Sequence, residues 1–185
     1  KRAADDSDNE YFFIIDEINR GNLSKIFGEL FMLIENDKRG NSLQLLYSDE
    51  KFFVPNNLYI IGMMNTADRS LAILDYALRR RFAFFDMKPG FDSDGFNKYR
   101  SSLKSSNFNS LISCISSLND EIANDDSLGE GFCIGHSYFC NLENAEYKTL
   151  MNIINYEITP LLKEYWYDEP NKVKNWIDKL KGSIK

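Results

Sequence analysis

The sequence predicts an α/β region followed by an α-helical region, and three features of the chain lead to this expectation. Two short apolar runs, 11–15 and 58–64, have the length of strands buried on both faces of a parallel sheet. Between them, apolar residues recur at helical spacing over 23–36. After Pro89-Gly90 the strand signal gives way to helical patterns. This order is typical of part of an α/β sheet followed by a helical lid.

The composition is that of a folded, soluble protein. Of 185 residues, 43% are hydrophobic and 14 are Phe, which is enough to build a core. The net charge of −6 argues against this chain being the main nucleic-acid-binding surface. No apolar run reaches the ~20 residues of a membrane helix. The polar N-terminus is unlike a signal peptide, so we expect a cytoplasmic protein without a membrane partner.

The remaining elements of the α/β region, 11–90, follow from shorter patterns. Polar residues 1–10 predict a frayed or disordered N-terminus. Two β-prone runs, 43–47 and 51–54, are split by a polar turn and predict a hairpin. A short helix over 71–78 and a third strand over 81–86 complete the predicted elements.

The helical region is predicted to span 91–185. Its helices are expected at 94–104, 108–123, 144–165 and 171–181. The three cysteines of the chain all lie here, at Cys114, Cys133 and Cys140, without the spacing of a zinc site. We expect reduced thiols with a structural role.

Two acidic residues, Asp16 and Glu17, follow the first apolar strand directly. Ligands of α/β proteins bind at the carboxyl ends of such strands. Asp16 could hold Mg²⁺, which prefers one or two carboxylates together with phosphate oxygens. Glu17 is then free to orient and polarise an attacking water. The alternative is an acidic turn without catalytic function.

Asn65 follows the second strand and is expected at the same edge of the sheet. Its amide can hydrogen-bond a γ-phosphate or the attacking water. A simpler interpretation is a helix start, in which Asp68 caps the helix beginning near Ser70.

Three arginines, 79–81, end the predicted helix 71–78. They could favour the helix C-terminus electrostatically. They could also include an arginine finger, a guanidinium offered to the phosphates of a neighbouring subunit, which requires an oligomer.

Taken together and in this order, these motifs resemble the Walker B, sensor 1 and arginine-finger motifs in the second half of a AAA+ P-loop NTPase core. More specifically, the chain resembles the McrB-like family, the motor subunits of modification-dependent restriction systems. The stretches that carry this resemblance are Ile14-Ile-Asp-Glu-Ile-Asn-Arg20, Asn22-Leu-Ser-Lys-Ile-Phe-Gly-Glu-Leu30, Gly62-Met-Met-Asn-Thr-Ala-Asp-Arg-Ser-Leu71, Asp75-Tyr-Ala-Leu-Arg-Arg-Arg-Phe82 and Gly135-His-Ser-Tyr-Phe139.

The resemblance implies a AAA+ NTPase that prefers GTP over ATP, uses Mg²⁺ and forms a homo-oligomeric, hexameric ring. It further implies an McrC-like nuclease partner and DNA bound through other domains or subunits. By motif, Asp16 would be the magnesium-side carboxylate, Glu17 the catalytic carboxylate and Asn65 sensor 1.

The same resemblance assigns further residues to the site. Arg80 would be the first candidate for the finger and Arg81 the second. Asn19 and Arg20 would lie at the subunit junction. His136 would fall near the second sensor of other AAA+ lids, although a hydrogen-bonded structural histidine is an equal alternative.

The nucleotide preference rests on the resemblance alone. Asn65-Thr-Ala-Asp68 looks like the guanine-reading motif of small GTPases, but after a sensor strand Asn65 should face phosphate. Two other functions stay open: a related AAA+ ATPase that remodels a partner protein, and a non-catalytic interaction module.

No Gly-x-x-x-x-Gly-Lys-Ser/Thr phosphate loop occurs in the sequence. Backbone amides and the lysine of that loop supply most of the grip on the β- and γ-phosphates. We therefore expect a C-terminal fragment of a longer NTPase that neither binds nor hydrolyses nucleotide well. Its exposed sheet edge predicts self-association.

Overall fold

The computed structural model describes residues 1–45, 48–65, 67 and 79–184. The chain forms two compact units, 1–85 and 86–185, with a division close to the one predicted after residue 90. The predicted helix 71–78 and the candidate cap Asp68 lie outside the described residues.

The first unit is an α/β unit with short elements. Its described helices and strands are α1 (Arg2–Asp5), β1 (Tyr11–Ile15), α2 (Leu23–Phe27), β2 (Leu43–Gln44), β3 (Lys51–Phe52) and β4 (Leu58–Gly62), with 3₁₀ segments at Ile18–Arg20 and Gly28–Ile34. Strands β1 and β4 pair in parallel, whereas β2 and β3 form a small antiparallel hairpin. The parallel pair and the hairpin confirm the prediction, although the hairpin strands are shorter than expected.

The strands of the parallel pair are less buried than predicted. Phe12, Phe13 and Ile14 of β1 are 59%, 51% and 58% exposed, and Tyr59 of β4 is 44% exposed. The expectation of burial on both faces is therefore wrong for the described chain. The physical reason is that only two strands form this sheet among the described residues, so much of each face has no covering layer.

The predicted helix over 23–36 is present but changes type partway. An α-helical turn ends at Phe27, and Gly28 begins a 3₁₀ segment that runs to Ile34. Gly28 has a φ of +49°, a left-handed conformation that glycine adopts without the steric cost of a side chain. This one residue interrupts the α-helix and turns the chain.

The predicted third strand is not formed. Residues 83–90 have no regular secondary structure, and no described strand pairs with 81–86. A strand needs a hydrogen-bonded neighbour, so β-prone composition is insufficient here. Phe85 and Met87 are 86% and 88% exposed.

The N-terminal segment is ordered, in contrast to the predicted frayed end. The side-chain nitrogen of Asn57 lies 2.8–2.9 Å from the carbonyl oxygens of Ala3, Asp6 and Asn9. Ala3 is buried. A single amide distant in sequence thus anchors the whole polar segment, a contact that composition cannot reveal.

The second unit is helical among its described residues. It contains α3 (Asp94–Leu103), α4 (Ser106–Ala123), α5 (Tyr147–Asn152), α6 (Thr159–Tyr165) and α7 (Pro170–Gly182), with 3₁₀ turns at Glu130–Phe132 and His136–Phe139 and a π-helical segment at Ile153–Ile158. The hydroxyls of Ser93 and Ser105 accept hydrogen bonds from backbone N–H groups and cap α3 and α4.

All four predicted helical stretches of this unit are confirmed, and one of them is not a uniform α-helix. The stretch predicted over 144–165 contains the π-helical segment between α5 and α6. Pro160, at the start of α6, has no N–H to donate to the carbonyl of Tyr156 one turn earlier. We attribute the wider turns to this missing hydrogen bond.

The core of the second unit is closed by its own side chains. One face of α4 is fully or almost fully buried, through Phe108, Leu111, Ile112, Ile115, Leu118 and Ile122. Trp166 is 1% exposed and donates its indole N–H to Asp125 over 2.8 Å. Among the residues with described placement, no helix is both long enough and apolar enough to cross a membrane.

Candidate functional site

The carboxyl ends of β1 and β4 lie side by side. The strands pair in register from Tyr11 with Leu58 to Ile15 with Gly62. The pairing continues beyond them, because Met63 donates its N–H to the Ile15 carbonyl and accepts the Ile18 N–H, both over 2.9 Å. The segments that follow both strands therefore share one edge of the sheet, which confirms the predicted geometry.

Gly62 and Ile18 make this close approach possible. A Cβ atom on Gly62 would lie 2.5 Å from Cδ1 of Ile18, so a larger residue here would force the end of the Ile18 side chain to move. Ile18 is buried and forms a small apolar cluster with Phe31. The segment that follows Glu17 thus packs closely against the end of β4.

The backbone holds Glu17 in an unusual conformation. Its φ of 52° and ψ of 45° place a non-glycine residue in the left-handed region, which costs about 1–2 kcal/mol. The Asp16 carboxylate accepts the Glu17 N–H over 2.9 Å. The Glu17 carboxylate lies 3.2 Å from Nε of Arg20. Asp16 is exposed and Glu17 is partly buried.

Asn19 is buried between the two strand ends. It is 7% exposed, and its amide nitrogen donates to the carbonyl of Asn65 over 3.5 Å. Its side-chain oxygen has no hydrogen-bond partner among the described residues. Its burial beside Asn65 holds the side chain within its own unit, and the expected subunit junction stays a prediction. Arg20, in contrast, is exposed.

Asn65 is exposed at the same edge. Its side-chain oxygen accepts the N–H of Ala67 over 3.0 Å, and its backbone carbonyl accepts from Asn19. Because the oxygen is used internally, the side-chain NH₂ is the group that Asn65 can offer to a ligand.

The three arginines have different surroundings. Arg79 and Arg80 are exposed, and the guanidinium of Arg79 lies 5.8 Å from the ring centroid of Phe84. The Arg81 side chain is only 13% exposed and lies 2.5 Å from a carboxylate oxygen of Glu35. Arg81 is therefore held within its own unit, which leaves Arg80 as the better candidate for a contact in trans.

A cavity of about 350 Å³ lies beside these arginines. It is lined by Glu35, Asn36, Asp37, Arg80 and Arg81. Sequence reasoning missed Glu35, because an isolated acid after an apolar stretch carries no signal of a cation 46 positions later in the chain.

His136 has a structural role in the second unit. Its Nδ1 accepts the N–H of Gly90 over 3.0 Å, and its ring packs edge-on against Phe91 and Phe96. Its carbonyl accepts from the thiol of Cys140. These contacts support the structural alternative for this residue.

The cysteines are free thiols, as predicted. Burial raises the pKa of the Cys114 and Cys133 thiols, which opposes formation of a reactive thiolate. Among the described residues, no group of three or more His, Cys, Asp or Glu side chains could hold a metal ion. A magnesium ion at Asp16 would therefore need oxygen ligands from phosphate and water, which is its usual coordination at phosphate sites.

Comparison with known families agrees with this arrangement. Residues 1–82 match the family described as "AAA domain (dynein-related subfamily)". Residues 110–174 match "McrB, alpha-helical lid domain". The chain is thus similar to a AAA domain followed by a helical lid, the fold class that the sequence predicts.

Two curated relatives extend the comparison. The chain is 50% identical, over 194 aligned residues, to the "Type IV methyl-directed restriction enzyme EcoKMcrB subunit" of Escherichia coli (strain K12), covering 98% of this chain and 42% of that protein. It is 34% identical over 88 residues to the "Type II restriction enzyme BsuMI component YdiS" of Bacillus subtilis (strain 168), covering 40% of this chain and 26% of that protein. The chain therefore spans less than half the length of either relative.

Proposed function

Because this chain belongs to the McrB family of AAA+ proteins, we propose that it is part of the nucleotide-hydrolysing motor subunit of a DNA restriction system. The observation that carries the proposal is the shared edge, where Asp16 and Glu17 follow β1 beside Asn65 after the parallel strand β4. Two carboxylates and an amide at one edge of the sheet are among the groups that phosphoanhydride hydrolysis uses, for binding the metal ion and for orienting the attacking water.

In this proposal Asp16 is the magnesium-side carboxylate. It is exposed at the strand end and offers oxygen donors, the ligand type that Mg²⁺ prefers. When bound, the ion would neutralise charge on the β- and γ-phosphates. One Asp16 oxygen already accepts the Glu17 N–H, which fixes the orientation of the carboxylate before nucleotide arrives.

Glu17 acts as the catalytic carboxylate in this proposal. It would accept a hydrogen bond from the attacking water and orient it toward the γ-phosphorus. The left-handed backbone and the ion pair with Arg20 determine where the carboxylate points. Asn65 would donate its NH₂ to the γ-phosphate or to the same water, as expected of sensor 1. Asn19 would brace the Asn65 backbone.

Arg80 is proposed as the arginine finger, acting on the nucleotide of a neighbouring subunit in a homo-oligomeric ring. Its exposure is consistent with that role. GTP as the preferred substrate, the hexameric ring, the McrC-like nuclease partner and DNA bound through other domains or subunits are proposals that rest on family membership.

The phosphate-binding loop required for this chemistry is absent from the 185 residues. We therefore propose that these residues alone do not bind or hydrolyse nucleotide well, and that the complete NTPase that carries them is the active form.

The decisive experiment replaces Glu17 by Gln in that complete NTPase. We expect turnover of GTP to fall by about 100-fold or more, with nucleotide binding retained, since one charge and no volume is lost. The measurement is phosphate release at saturating GTP and, in parallel, ATP.

Glu10→Gln is the matched control, because Glu10 precedes the same strand at its opposite end and bonds only Tyr59 among the described residues. Unchanged turnover in Glu17→Gln would contradict the catalytic assignment and favour a non-catalytic interaction module. Faster turnover of ATP than of GTP in the unsubstituted protein would favour a related ATPase that remodels a partner protein.

A further inference from the structure

The turn that carries Arg80 is anchored by the residue next to it. The Arg81 guanidinium lies 2.5 Å from Oε1 of Glu35, with side-chain exposures of 13% and 32%. The same guanidinium lies 5.0 Å from the ring centroid of Phe31. Arg80 is exposed and makes no ion pair with any residue that the structure describes. Arg81 is thus mostly buried and ion-paired, whereas the adjacent Arg80 is exposed to solvent.

The chemistry of this anchor requires arginine. A planar guanidinium can hydrogen-bond a carboxylate at its edge while its face covers an aromatic ring, and a lysine ammonium cannot do both. The partial burial of the pair reduces screening by water and salt. The nearby pair of Lys38 and Asp37, with side chains 42% and 70% exposed, has no such protection.

A second anchor follows immediately. Phe82 packs against the buried cluster of Ile18 and Phe31. The chain is therefore fixed at two successive residues just after Arg80, and consecutive Cα atoms are only about 3.8 Å apart. Ile18 also follows Glu17 directly. The cluster of Ile18 and Phe31 therefore supports both the segment with the proposed catalytic carboxylate and the segment with Arg80 and Arg81.

We propose that Glu35 and Arg81 are positioning residues that hold this turn so that Arg80 projects toward the nucleotide of the adjoining subunit. Arg81 then acts through Arg80 and does not itself contact phosphate, in place of its assignment as a second finger. The inference rests on the proposed function, because it requires Arg80 to act in trans.

The test uses mixed oligomers of the complete NTPase. Glu17→Gln subunits lack the catalytic carboxylate but keep Arg80, whereas Arg81→Gln and Glu35→Gln subunits keep the carboxylate. If the defect lies in presenting Arg80, an intact Arg80 from a Glu17→Gln neighbour restores hydrolysis in the other subunit. A general structural defect would not be restored in this way.

Each variant alone is expected to lower kcat by about 10- to 100-fold with KM changed less than about twofold, the effect of a misplaced catalytic group. Mixing with Glu17→Gln should raise activity well above that of either protein alone. Arg81→Lys should recover only part of kcat, because it keeps the charge and loses the planar contact. Lys38→Gln, which breaks the exposed ion pair nearby, is the matched control and should retain full activity.

The control mixture of Arg80→Ala with Glu17→Gln distinguishes two claims: that Arg80 acts in trans, and that Glu35 and Arg81 position it. If that mixture is not restored, Arg80 does not act in trans, and both the proposed function and this inference are overturned. If it is restored while the Glu35→Gln mixture is not, the positioning role alone is overturned. Because Arg81→Gln could unfold the turn, Glu35→Gln, which leaves every arginine in place, decides the outcome.

Discussion

The two units of this chain use apolar residues in opposite ways. In the helical unit, 86–185, apolar side chains from several helices meet in one closed core that includes Phe108 and Trp166. In the α/β unit, 1–85, the apolar cluster that the structure describes has just two buried members, Ile18 and Phe31, and Phe12 of β1 is 59% exposed. The helical unit buries its own apolar surface, whereas the α/β unit presents much of it to solvent.

This difference shows that local structure and burial have separate causes. Strands β1 and β4 pair correctly and place the candidate site residues at one edge, even though their faces are largely uncovered. Backbone hydrogen bonds and the contact of Ile18 with Gly62 are sufficient to define that edge. An exposed apolar sheet face of this kind is typical of surfaces that become buried in an assembly.

The largest expected effect compares one phenylalanine from each unit. Phe108→Ala should destabilise the helical unit by about 3–5 kcal/mol, because a fully buried ring is replaced by a cavity. Phe12→Ala should cost less than about 1 kcal/mol, because the ring is mostly exposed. Tryptophan fluorescence follows the denaturant unfolding of Phe108→Ala, because both tryptophans, Trp166 and Trp176, belong to the helical unit. Far-UV circular dichroism follows the denaturant unfolding of Phe12→Ala, because the α/β unit has no tryptophan.

An equal loss in the two variants would show that the strand faces are buried to the same degree as the helical core, and the comparison would fail. Far-UV circular dichroism of Phe12→Ala checks that its secondary structure is intact.

A smaller effect is expected from the polar contacts of the helical unit. Lys172 donates to Asp125 over 2.8 Å, Ser127 and Trp166 also donate to it, and these bonds hold the pKa of Asp125 well below its ordinary value. Asp125→Asn should cost about 1–2 kcal/mol at neutral pH, as is usual for a partly exposed, charge-assisted hydrogen bond.

The pH dependence follows from the direction of that shift. A carboxylate whose pKa is lower in the folded than in the unfolded state stabilises the fold above about pH 4, and this contribution is lost as the pH falls toward the folded pKa. Stability of the unsubstituted chain should therefore fall more steeply below about pH 4 than that of Asp125→Asn. Asp126→Asn, at the exposed neighbouring residue, should keep the steep fall; identical acid profiles for all three would contradict this account.

The smallest effect compares a glycine from each unit. Gly28→Ala should destabilise the α/β unit by about 1 kcal/mol, because alanine is strained at a φ of +49°. No described atom lies within 4 Å of the new methyl group, so a steric clash does not add to this cost. Gly95→Ala in helix α3 should instead stabilise by about 0.5 kcal/mol, since alanine favours helix. Thermal unfolding by circular dichroism measures both, and a stabilised Gly28→Ala would show that the break after Phe27 is not set by glycine.

Much of the helical unit was predictable because its signals are local. Apolar spacing identified each helix, and Ser93 and Ser105 cap α3 and α4 as such residues commonly do. The π-helical segment was not predicted, because the spacing of apolar residues around Pro160 still indicates one continuous helix. The ordered N-terminus was missed for a different reason, because its anchor, Asn57, lies some 50 residues away.

The candidate site was predictable in composition and only partly in geometry. Strand-end motifs placed Asp16, Glu17 and Asn65 at one edge, because parallel strands end together. The burial of Asn19 and the ion pair of Arg81 with Glu35 could not be inferred, since residues in contact there are 46 positions apart.

By itself, the sequence determined which chemical groups the chain carries and where most of its strands and helices form. Hydrophobic periodicity and capping residues act over a few positions, so a linear pattern contains them. Tertiary structure decided which of those groups are free to act: it buried Asn19, tied Arg81 to Glu35, used His136 as an acceptor for Gly90 and left Arg80 exposed. The physical reason is that a side chain's availability depends on partners brought together by folding, and one-dimensional spacing carries no record of those distances.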